Sequence, residues 1–385
     1  MEEKRKNWKA SFMLIIDLII FIIVLSSVVI VHEFGHFFFA KKTGVGVEEF
    51  GIGFPPKIWK KVKNGTEYFI GLIPFGGLNK IYGMDEIDEE KLNDPRSYEN
   101  KGPIVKSLIC LGGIFMNVIF AAVLFYILIA SSSFQMSQNM ILSQYHFPFG
   151  EQKNYPLVVE VYENTPAALA EIKPQDIILS INGKDVANSD ILTAEIENNL
   201  GKEVRIKVMN GQTKETKDLA VTLNEDKEKS LGIVYSQMAF ISYNTLSERA
   251  FCGFLHSWNV LDYTVNILGY LINYSLENKT VKPLAFSMSG PVGIYAVAKV
   301  VSQEGLFQLI NLIAVLSLGL AFSNIIPIPA FDGAKFLFII LNTINKNVFS
   351  KKLEIAVEQV GMFFLIFLAI FIVFKDFFQF KEIIF

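Results

Sequence analysis

Only two cysteines, Cys110 and Cys252, occur in the 385 residues of this chain. One opens an apolar segment and the other lies in an amphipathic one, so a fold held together by disulfides is not expected. A basic excess is missing as well, because 35 Lys and Arg stand against 38 Asp and Glu. Nucleic acid is therefore not an expected partner, since its phosphates require a basic surface.

Long apolar runs are abundant: 51% of the residues are hydrophobic and the mean hydropathy is +0.38. A helix needs roughly 20 apolar residues to cross a bilayer. Four segments offer them: Phe12–Phe39, Leu108–Ala130, Leu306–Leu341, which prolines interrupt, and Val360–Phe378. The first is too long for the apolar core of a signal peptide and is expected to be retained. The sequence predicts a polytopic α-helical membrane protein with about four spans.

Positive charge predicts the orientation of these spans. Eleven Lys and Arg lie between the first two spans, from Lys41 to Lys106, and such a loop is expected in the cytosol. The region 131–305 would then be extracytoplasmic. Four positive residues before residue 10 favour the opposite orientation. We follow the loop between the first two spans, because it contains eleven positive residues.

Residues 47–81 predict a membrane-associated β region, because β-forming residues are bounded there by glycines and prolines. It ends in Ile73-Pro-Phe-Gly76-Gly77. Two interpretations stay open at this point. The strands offer an unpaired edge to an extended substrate, or they form an ordinary cytosolic hairpin.

Residues 155–230 predict an inserted α+β module. Strands are expected at Leu157–Val161, Asp176–Ile181, Val204–Val208 and Leu219–Leu223, helices at Ala167–Glu171 and Asp190–Leu200, and a tight turn at Asn182-Gly183. The motifs Asn164–Ala170, Ile172–Ile178 and Ile181–Val186 resemble those of a PDZ domain, with Gln175 in place of a usual glycine. Such a module binds extended peptides by strand addition, or it is only a spacer.

The segments on either side of this module are also distinctive. Residues 131–154 are expected to be a linker. Within 231–305, apolar residues recur at three- and four-residue steps from Glu248 to Leu276. This pattern predicts an amphipathic helix on the membrane surface, with packing against the soluble module as the alternative.

The segment His32-Glu33-Phe34-Gly35-His36 closes the first apolar run, where polar side chains are costly unless they serve a function. On a helix the two imidazoles lie one turn apart on one face, which is the spacing that binds zinc. Glu33 would lie beside the open coordination position and accept a proton from the attacking water. The alternative is a chance match at a helix end.

A zinc site of this type needs a third protein ligand. His146 and His256, the other histidines, are poorly placed, which favours a carboxylate. Asp332 is the candidate, because it stands in an otherwise uncharged stretch, Leu306–Ala334, where an unpaired Asp costs about 2.5–3.5 kcal/mol on insertion scales. A solvated Asp in a kinked or re-entrant helix is the alternative.

Two prolines precede Asp332. Pro327 and Pro329 break the helix, and irregular backbone at membrane depth is tolerated only inside protein or beside a water-filled cavity. Unpaired carbonyl groups there, together with the Asn324 amide, could hold a substrate backbone in an extended conformation.

The two motifs in this order, His32–His36 and Asn324-Ile-Ile-Pro-Ile-Pro-Ala-Phe-Asp-Gly333, resemble the signature of the site-2 protease family of intramembrane zinc metalloproteases. The bacterial, sigma-factor-regulating branch is also similar in Ile73–Gly77, in Ser289–Ile294 and in a PDZ module between spans two and three.

The resemblance implies roles for individual residues. His32, His36 and Asp332 would ligate Zn²⁺, Glu33 would be the general base, and Asn324 would contact the substrate. We also expect Pro327, Pro329, Gly76 and Gly77 to line the substrate-binding region.

Three features depart from the family pattern. The motif A-G-P-x-x-N appears as Gly112-Gly-Ile-Phe-Met-Asn117, without its proline. Ala334 and Lys335 replace the usual glycine and histidine, and only one PDZ unit is present. None of these changes removes a ligand, so they bear on substrate handling more than on catalysis.

The predicted organisation is 1–130 for two spans with the HExxH motif and the β region, 131–154 for the linker, 155–230 for the PDZ domain, 231–305 for the surface helix and connector, and 306–385 for two spans with the Asp-Gly motif. The predicted enzyme lies in the bacterial cytoplasmic (inner) membrane, with its active site toward the cytosol and its PDZ domain outside.

The expected activity is cleavage of single-span membrane proteins within or near the bilayer, after another protease has removed their outer domain. The PDZ domain would screen these substrates, for which anti-sigma factors and signal-peptide remnants are candidates. A catalytically dead adaptor would have lost a ligand or the base, and all four residues are present. A transporter would show repeated halves and acids scattered over several spans, whereas no internal repeat is found and the polar groups gather at the two motifs.

Overall fold

The computed structural model describes residues 2–85, 91, 94–211, 213–226, 230–345 and 348–384, without the side chains of residues 2–11 and 384. The basic N-terminal side chains that oppose the predicted orientation therefore lie outside this description. The chain divides into two compact units: Met1–Leu128 with Leu271–Phe385, and Ile129–Tyr270.

The described elements follow one another along the chain in the order α1 (Glu2–Lys42), β1 (Val47–Lys63), β2 (Thr66–Ile81), α2 (Pro103–Cys110), α3 (Gly112–Ser131), β3 (Gln135–Met140), β4 (Glu151–Val161), α4 (Pro166–Leu169), β5 (Asp176–Ile181), β6 (Lys184–Asp185), α5 (Ser189–Glu197), β7 (Glu203–Asn210), β8 (Thr216–Thr222), β9 (Ile233–Ser242), α6 (Leu246–Glu277), α7 (Lys282–Ser287), α8 (Pro291–Glu304), α9 (Leu306–Ile325), α10 (Asp332–Ile344) and α11 (Lys351–Ile384).

Four helices in the described part of the chain are long and apolar enough to cross a membrane: Phe12–Lys42, Gly112–Ser131, Leu306–Ile325 and Lys351–Ile383. They coincide with the four predicted segments but differ in their ends. The second begins at Gly112 rather than Leu108, because α2 ends at Cys110 and the chain turns at Leu111.

The third predicted segment is two helices, as its prolines indicated. Pro327 and Pro329 lie in the turn between α9 and α10, where Ala330 has a left-handed φ of 75°. Glycines let this turn pack closely. A Cβ on Gly333 would lie 2.4 Å from the carbonyl oxygen of Ile325, and a Cβ on Gly361 would lie 2.3 Å from the Pro329 Cβ. The break therefore rests against both α9 and α11.

A buried carboxylate fixes the start of α8. Asp376 of α11 is fully buried, and its Oδ2 accepts hydrogen bonds from the backbone N–H groups of Gly290 (2.8 Å) and Gly293 (2.9 Å). These are unpaired N–H groups of a helix N-terminus, which otherwise lack partners in an apolar surrounding. Lys375 Nζ lies 2.8 Å from the other carboxylate oxygen, so the buried charge is paired.

Strands β1 and β2 form a long antiparallel hairpin that curls back on itself. In the first half of β1, Gly51 has Cα partners at both Leu78 and Phe69. The last part of β2, from Gly77 to Ile81, has partners on the β1 side alone among the described residues. This part of β2 is therefore a sheet edge, as the sequence allowed.

The second unit contains a seven-stranded sheet in the order β3-β9-β4-β5-β7-β8, with β6 paired to β5. Its core includes Val158, Ile178, Leu192 and Ile206. Asn188 caps α5 by accepting a hydrogen bond from the Ile191 N–H at 2.8 Å. The positive φ angles of Asn182 and Gly183 confirm the predicted tight turn.

The sheet is wider than the predicted module of residues 155–230. Strand β3 and the first residues of β4 lie in 131–154, so the expected linker is wrong: it contributes an edge strand and part of a central strand. Strand β9 lies beyond residue 230 and pairs with both β3 and β4. The sequence of β3, Gln-Met-Ser-Gln-Asn-Met, contains few β-forming residues, which explains why it was missed.

Helix α6 has the two faces that the apolar periodicity predicted. Phe251, Phe254 and Trp258 are exposed, whereas His256 and Asn259 are buried. The buried face packs on the second unit, because Asn259 Nδ2 donates to the Phe149 carbonyl (2.8 Å) and His256 Nδ1 lies 3.1 Å from Tyr243 Oη. Phe149 and Tyr243 lie on either side of the predicted module of residues 155–230, so packing of this helix against that module stays a prediction.

Candidate metal centre

Three side chains of ligand type converge in the first unit. Asp332 Oδ2 lies 3.1 Å from His32 Nε2 and 3.2 Å from His36 Nε2, and the two imidazole nitrogens are 3.1 Å apart. His32 and His36 are 7% exposed. Within the described ranges, no other group of three His, Cys, Asp or Glu ligand atoms comes this close together. The structure thus joins residues that are 300 positions apart.

The donor set fits a zinc ion. Ligand atoms about 2.0–2.1 Å from a tetrahedral zinc are roughly 3.3 Å from one another, and the three atoms here form a triangle of nearly that size. Asp332 Oδ2 is buried without an aligned hydrogen-bond donor. A cation at the centre would satisfy this carboxylate oxygen and both imidazole lone pairs.

The end of α2 supports the ligands from behind. The Ile109 carbonyl lies 2.8 Å from His36 Nδ1, and accepting that N–H leaves Nε2 free to face the cluster. The Cys110 thiol donates to the Asp332 carbonyl at 3.1 Å. Sequence analysis missed both contacts, because a backbone carbonyl carries no side-chain signal and Cys110 looked like an ordinary apolar residue.

Helices α1 and α3 touch through glycines beside the imidazoles. A Cβ on Gly35 would lie 2.1 Å from the Gly112 carbonyl oxygen, and one on Gly113 would lie 2.5 Å from His36 Nε2 and 2.7 Å from His32 Nδ1. Small residues in an apolar span, such as glycine, let two helix backbones approach closely. That signal could have identified Gly112 and Gly113, which the sequence analysis treated only as part of a motif.

Replacing Gly113 with Ala is expected to lower zinc affinity by at least about tenfold, the lower end of the cost of disturbing a ligand's surroundings. The new methyl group would displace the imidazoles, although Ala favours the helix itself. Competition with a chelator of known affinity measures the change. Gly319→Ala in α9 is the matched control, because a Cβ there meets no atom within 4 Å. Equal zinc affinity in the two variants would contradict the close contact.

Glu33 lies between the ligand cluster and strand β2. A Cβ on Gly77 would lie 3.3 Å from Glu33 Cγ, and Asn79 Nδ2 donates to the Glu33 carbonyl at 3.2 Å. Gly76, with φ of 82°, packs beside the ring of Phe54. Of the two glycines predicted to line the substrate region, Gly77 therefore stands at the base candidate, and Gly76 precedes it in β2 and faces Phe54 and Val29.

The other predicted substrate residues lie at the break before Asp332. Asn324 is 9% exposed near the end of α9, and its Nδ2 donates to the Leu320 carbonyl at 3.0 Å. Pro327 is exposed and Pro329 is half-buried against Gly361. Their contact with substrate stays a prediction.

Lys335 departs from the family pattern one turn after Asp332, and the structure gives this lysine acidic partners. Its Nζ lies 2.9 Å from Asp85 Oδ1 and 3.9 Å from Glu358 Oε2. Together with Glu99 these residues line a cavity of about 320 Å³. Burial raises the pKa of Glu99, but the ammonium groups of Lys351 and Lys106 outweigh it, so the net pKa is lowered.

Comparison with known proteins gives a consistent result. The family model of peptidase family M50 matches residues 20–368. A Clostridium perfringens protein named "Putative zinc metalloprotease" is 30% identical over 356 residues, which cover 92% of this chain and 96% of the relative. A chloroplastic membrane metalloprotease of Arabidopsis thaliana is 28% identical over 377 residues, covering 92% of this chain and 77% of the relative.

Proposed function

The chain belongs to peptidase family M50, the site-2 proteases, and is a zinc metalloprotease; on this premise we propose that it is an intramembrane endopeptidase that cleaves single-span membrane proteins within or near the bilayer. The convergence of three ligand-type side chains supports this most strongly: His32 and His36 lie on α1, a helix long and apolar enough to cross a membrane, and Asp332 begins the short helix α10 that follows the apolar helix α9. A protease that acted only on soluble substrates would not need metal ligands on and beside such helices.

In the proposed mechanism His32, His36 and Asp332 would hold the zinc ion. A bound zinc supplies Lewis-acid polarisation of the scissile carbonyl and of the attacking water. Glu33 accepts the proton of that water and passes it to the leaving nitrogen. The Ile109 carbonyl keeps His36 in the tautomer that exposes Nε2.

The substrate must reach this site in an extended conformation, because a helix shields its carbonyl groups in its own hydrogen bonds. The β2 edge from Gly77 to Ile81 is paired only toward β1 among the described residues, and it begins beside Glu33. We propose that an unwound substrate segment adds to this edge as a strand. The backbone between Asn324 and Asp332 would then contact its other side.

We also propose that the second unit contains a PDZ domain that screens substrates. Strand β9 pairs with β4 from Ile233 to Ser242 but with β3 only from Gln237 onward, which leaves Ile233–Ser236 with one free edge in the described part. Tyr235 Oη on this stretch lies 2.5 Å from Thr193 Oγ1 of α5. A free strand edge beside a helix is where such modules add a peptide strand.

The proposed location is the bacterial cytoplasmic membrane, with the metal centre toward the cytosol and the second unit outside. The eleven basic residues from Lys41 to Lys106 support this orientation. Anti-sigma factors and signal-peptide remnants are the proposed substrates, since both present a single span after an earlier cut.

Metal removal tests the function. The full chain, purified in detergent, is expected to carry about one zinc and to cut a model single-span substrate within its apolar segment. A strong chelator should abolish cleavage and zinc should restore it, because the metal supplies the Lewis acid. Mass spectrometry of the products locates the cut. Cleavage only in the soluble part of the substrate, or none by a zinc-loaded enzyme, would contradict the proposal.

A further inference from the structure

Besides Asp332 Oδ2, which faces the proposed ion, two further buried polar groups among the described residues without a hydrogen-bond partner bear on the metal centre. One is Nδ1 of His32, and the other is the side-chain amide of Asn117, where both the oxygen and the nitrogen lack a partner. Asn117 is fully buried in the apolar helix α3. Buried polar groups are nearly always hydrogen-bonded, so orphaned ones this close to a metal site require an explanation.

The two imidazoles of the cluster differ in this respect. His36 Nδ1 is 2.8 Å from the Ile109 carbonyl, which fixes its tautomer. His32 Nδ1 has no corresponding acceptor. A histidine that ligates a metal almost always donates its second N–H to a carbonyl, a carboxylate or water. The N–H group at His32 Nδ1 therefore lacks the hydrogen-bond acceptor that a metal-ligating histidine normally has.

The geometry of α3 identifies the group that can fill this position. Gly113 abuts His32, since a Cβ on it would lie 2.7 Å from His32 Nδ1. Asn117 follows four residues later and so lies on the same face of the helix. Helical side chains tilt toward the N-terminus, which directs the Asn117 amide back over the turn of Gly113. The missing side chain at Gly113 leaves this path open.

The backbone of Asn117 is also held in place. Ser317 of α9, itself fully buried, donates its hydroxyl proton to the Asn117 carbonyl at 2.9 Å. This contact fixes the α3 turn while leaving the side-chain amide free. Asn117 is thus positioned by its main chain and available through its side chain.

We infer that Asn117 is a positioning residue for the metal centre: its Oδ1 accepts the Nδ1–H of His32, directly after a side-chain rotation or through one buried water. This hydrogen bond holds His32 in the tautomer whose Nε2 faces Asp332. The inference rests on the proposed ligation of zinc by His32.

Paired substitutions test this role. Asn117→Leu keeps the approximate shape but removes the acceptor, and zinc affinity is expected to fall about 10–100-fold, the usual cost of losing such a partner. Asn117→Asp keeps an acceptor oxygen and is expected to stay within a few-fold of the wild type. Affinity is measured by chelator competition on the full chain in detergent, and thermal unfolding of the metal-free variants checks their folding.

NMR spectroscopy of the histidine side chains provides a second test, which does not depend on whether Asn117→Asp folds. The chain has four histidines, so ¹⁵N-histidine labelling gives few signals, and a His32→Gln variant assigns those of His32. In the zinc-loaded wild type, His32 Nδ1 should carry a hydrogen-bonded proton, and Asn117→Leu should shift this resonance while leaving those of His256 unchanged.

The outcomes separate two kinds of failure. If Asn117→Leu leaves both zinc affinity and the His32 resonance unchanged, or if a folded Asn117→Asp loses affinity as much as Asn117→Leu, the positioning role is wrong. If His32→Gln binds zinc as tightly as the wild type, the proposed ligand set itself fails. Only the second result would affect the proposed function.

Discussion

Glu33→Gln is expected to lower the rate of substrate cleavage by about 10²–10⁴-fold, which is the usual contribution of a general base, with zinc content unchanged. Gln has nearly the same shape as Glu and keeps the contact with Gly77, but an amide cannot accept the proton of the attacking water. The Glu33 backbone carbonyl still accepts from Asn79 in the variant. Single-turnover cleavage of the model substrate, together with zinc analysis, measures both quantities.

Glu358→Gln is the matched control for this experiment. Glu358 is also a partly buried carboxylate, but it lies near Lys335 Nζ, at 3.9 Å, and not among the residues assigned to catalysis. Wild-type cleavage is expected from it. If Glu33→Gln cleaved as fast as Glu358→Gln, the base would be another group. If it lost zinc, Glu33 would act through the ligand shell and not as a base.

The sequence predicted the parts of the fold that depend on composition. Apolar length alone marked the four helices, and Pro327 and Pro329 marked the break that leads into Asp332. Both signals are local, because a helix needs about 20 apolar residues to cross a bilayer and a proline in a helix interior breaks or kinks the helix. Helix ends were less predictable, since Leu111 turns the chain within an apolar run.

Features that depend on contacts between distant parts of the chain could not be predicted from the sequence in this way. Strand β3 was assigned to a linker because its polar residues resemble a loop, and only pairing with β9 makes it a strand. Strand pairing depends on the partner as much as on intrinsic propensity. The widened sheet is therefore a property of the tertiary structure and not of residues 131–154 alone.

In the candidate site too, local features were predictable from the sequence and features that depend on tertiary packing were not. Its ligand types were visible, since His32 and His36 share a helix face and Asp332 is an isolated charge in an apolar stretch. The groups behind them were not visible. The Ile109 carbonyl and the space left by Gly113 depend on how α2 and α3 pack against α1. Supporting groups of this kind become apparent only when the distances between helices are known.

Asp332→Asn is expected to reduce zinc affinity by more than the 10–100-fold that loss of an outer partner costs. Two neutral imidazoles and one carboxylate leave a bound Zn²⁺ with a net charge of about +1, whereas an amide leaves +2 in a site whose imidazoles are 7% exposed. A buried charge without compensation is strongly unfavourable. Cleavage should be lost together with the metal, and chelator competition measures the affinity directly.

Asp85→Asn controls for the change of charge. The Asp85 carboxylate lies 2.9 Å from the Nζ of Lys335, and Lys335 follows Asp332 by one helical turn. The Asp85 side chain is 61% exposed, however, and Asp85 does not belong to the ligand cluster. Wild-type zinc affinity is expected from it. The Cys110 thiol donates to the backbone carbonyl of Asp332, which the substitution does not change. This contact should therefore keep the backbone of residue 332 in place, so that a loss of zinc affinity reports the lost ligand and not a lost fold. A folded Asp332→Asn that bound zinc as well as Asp85→Asn would require a different third ligand.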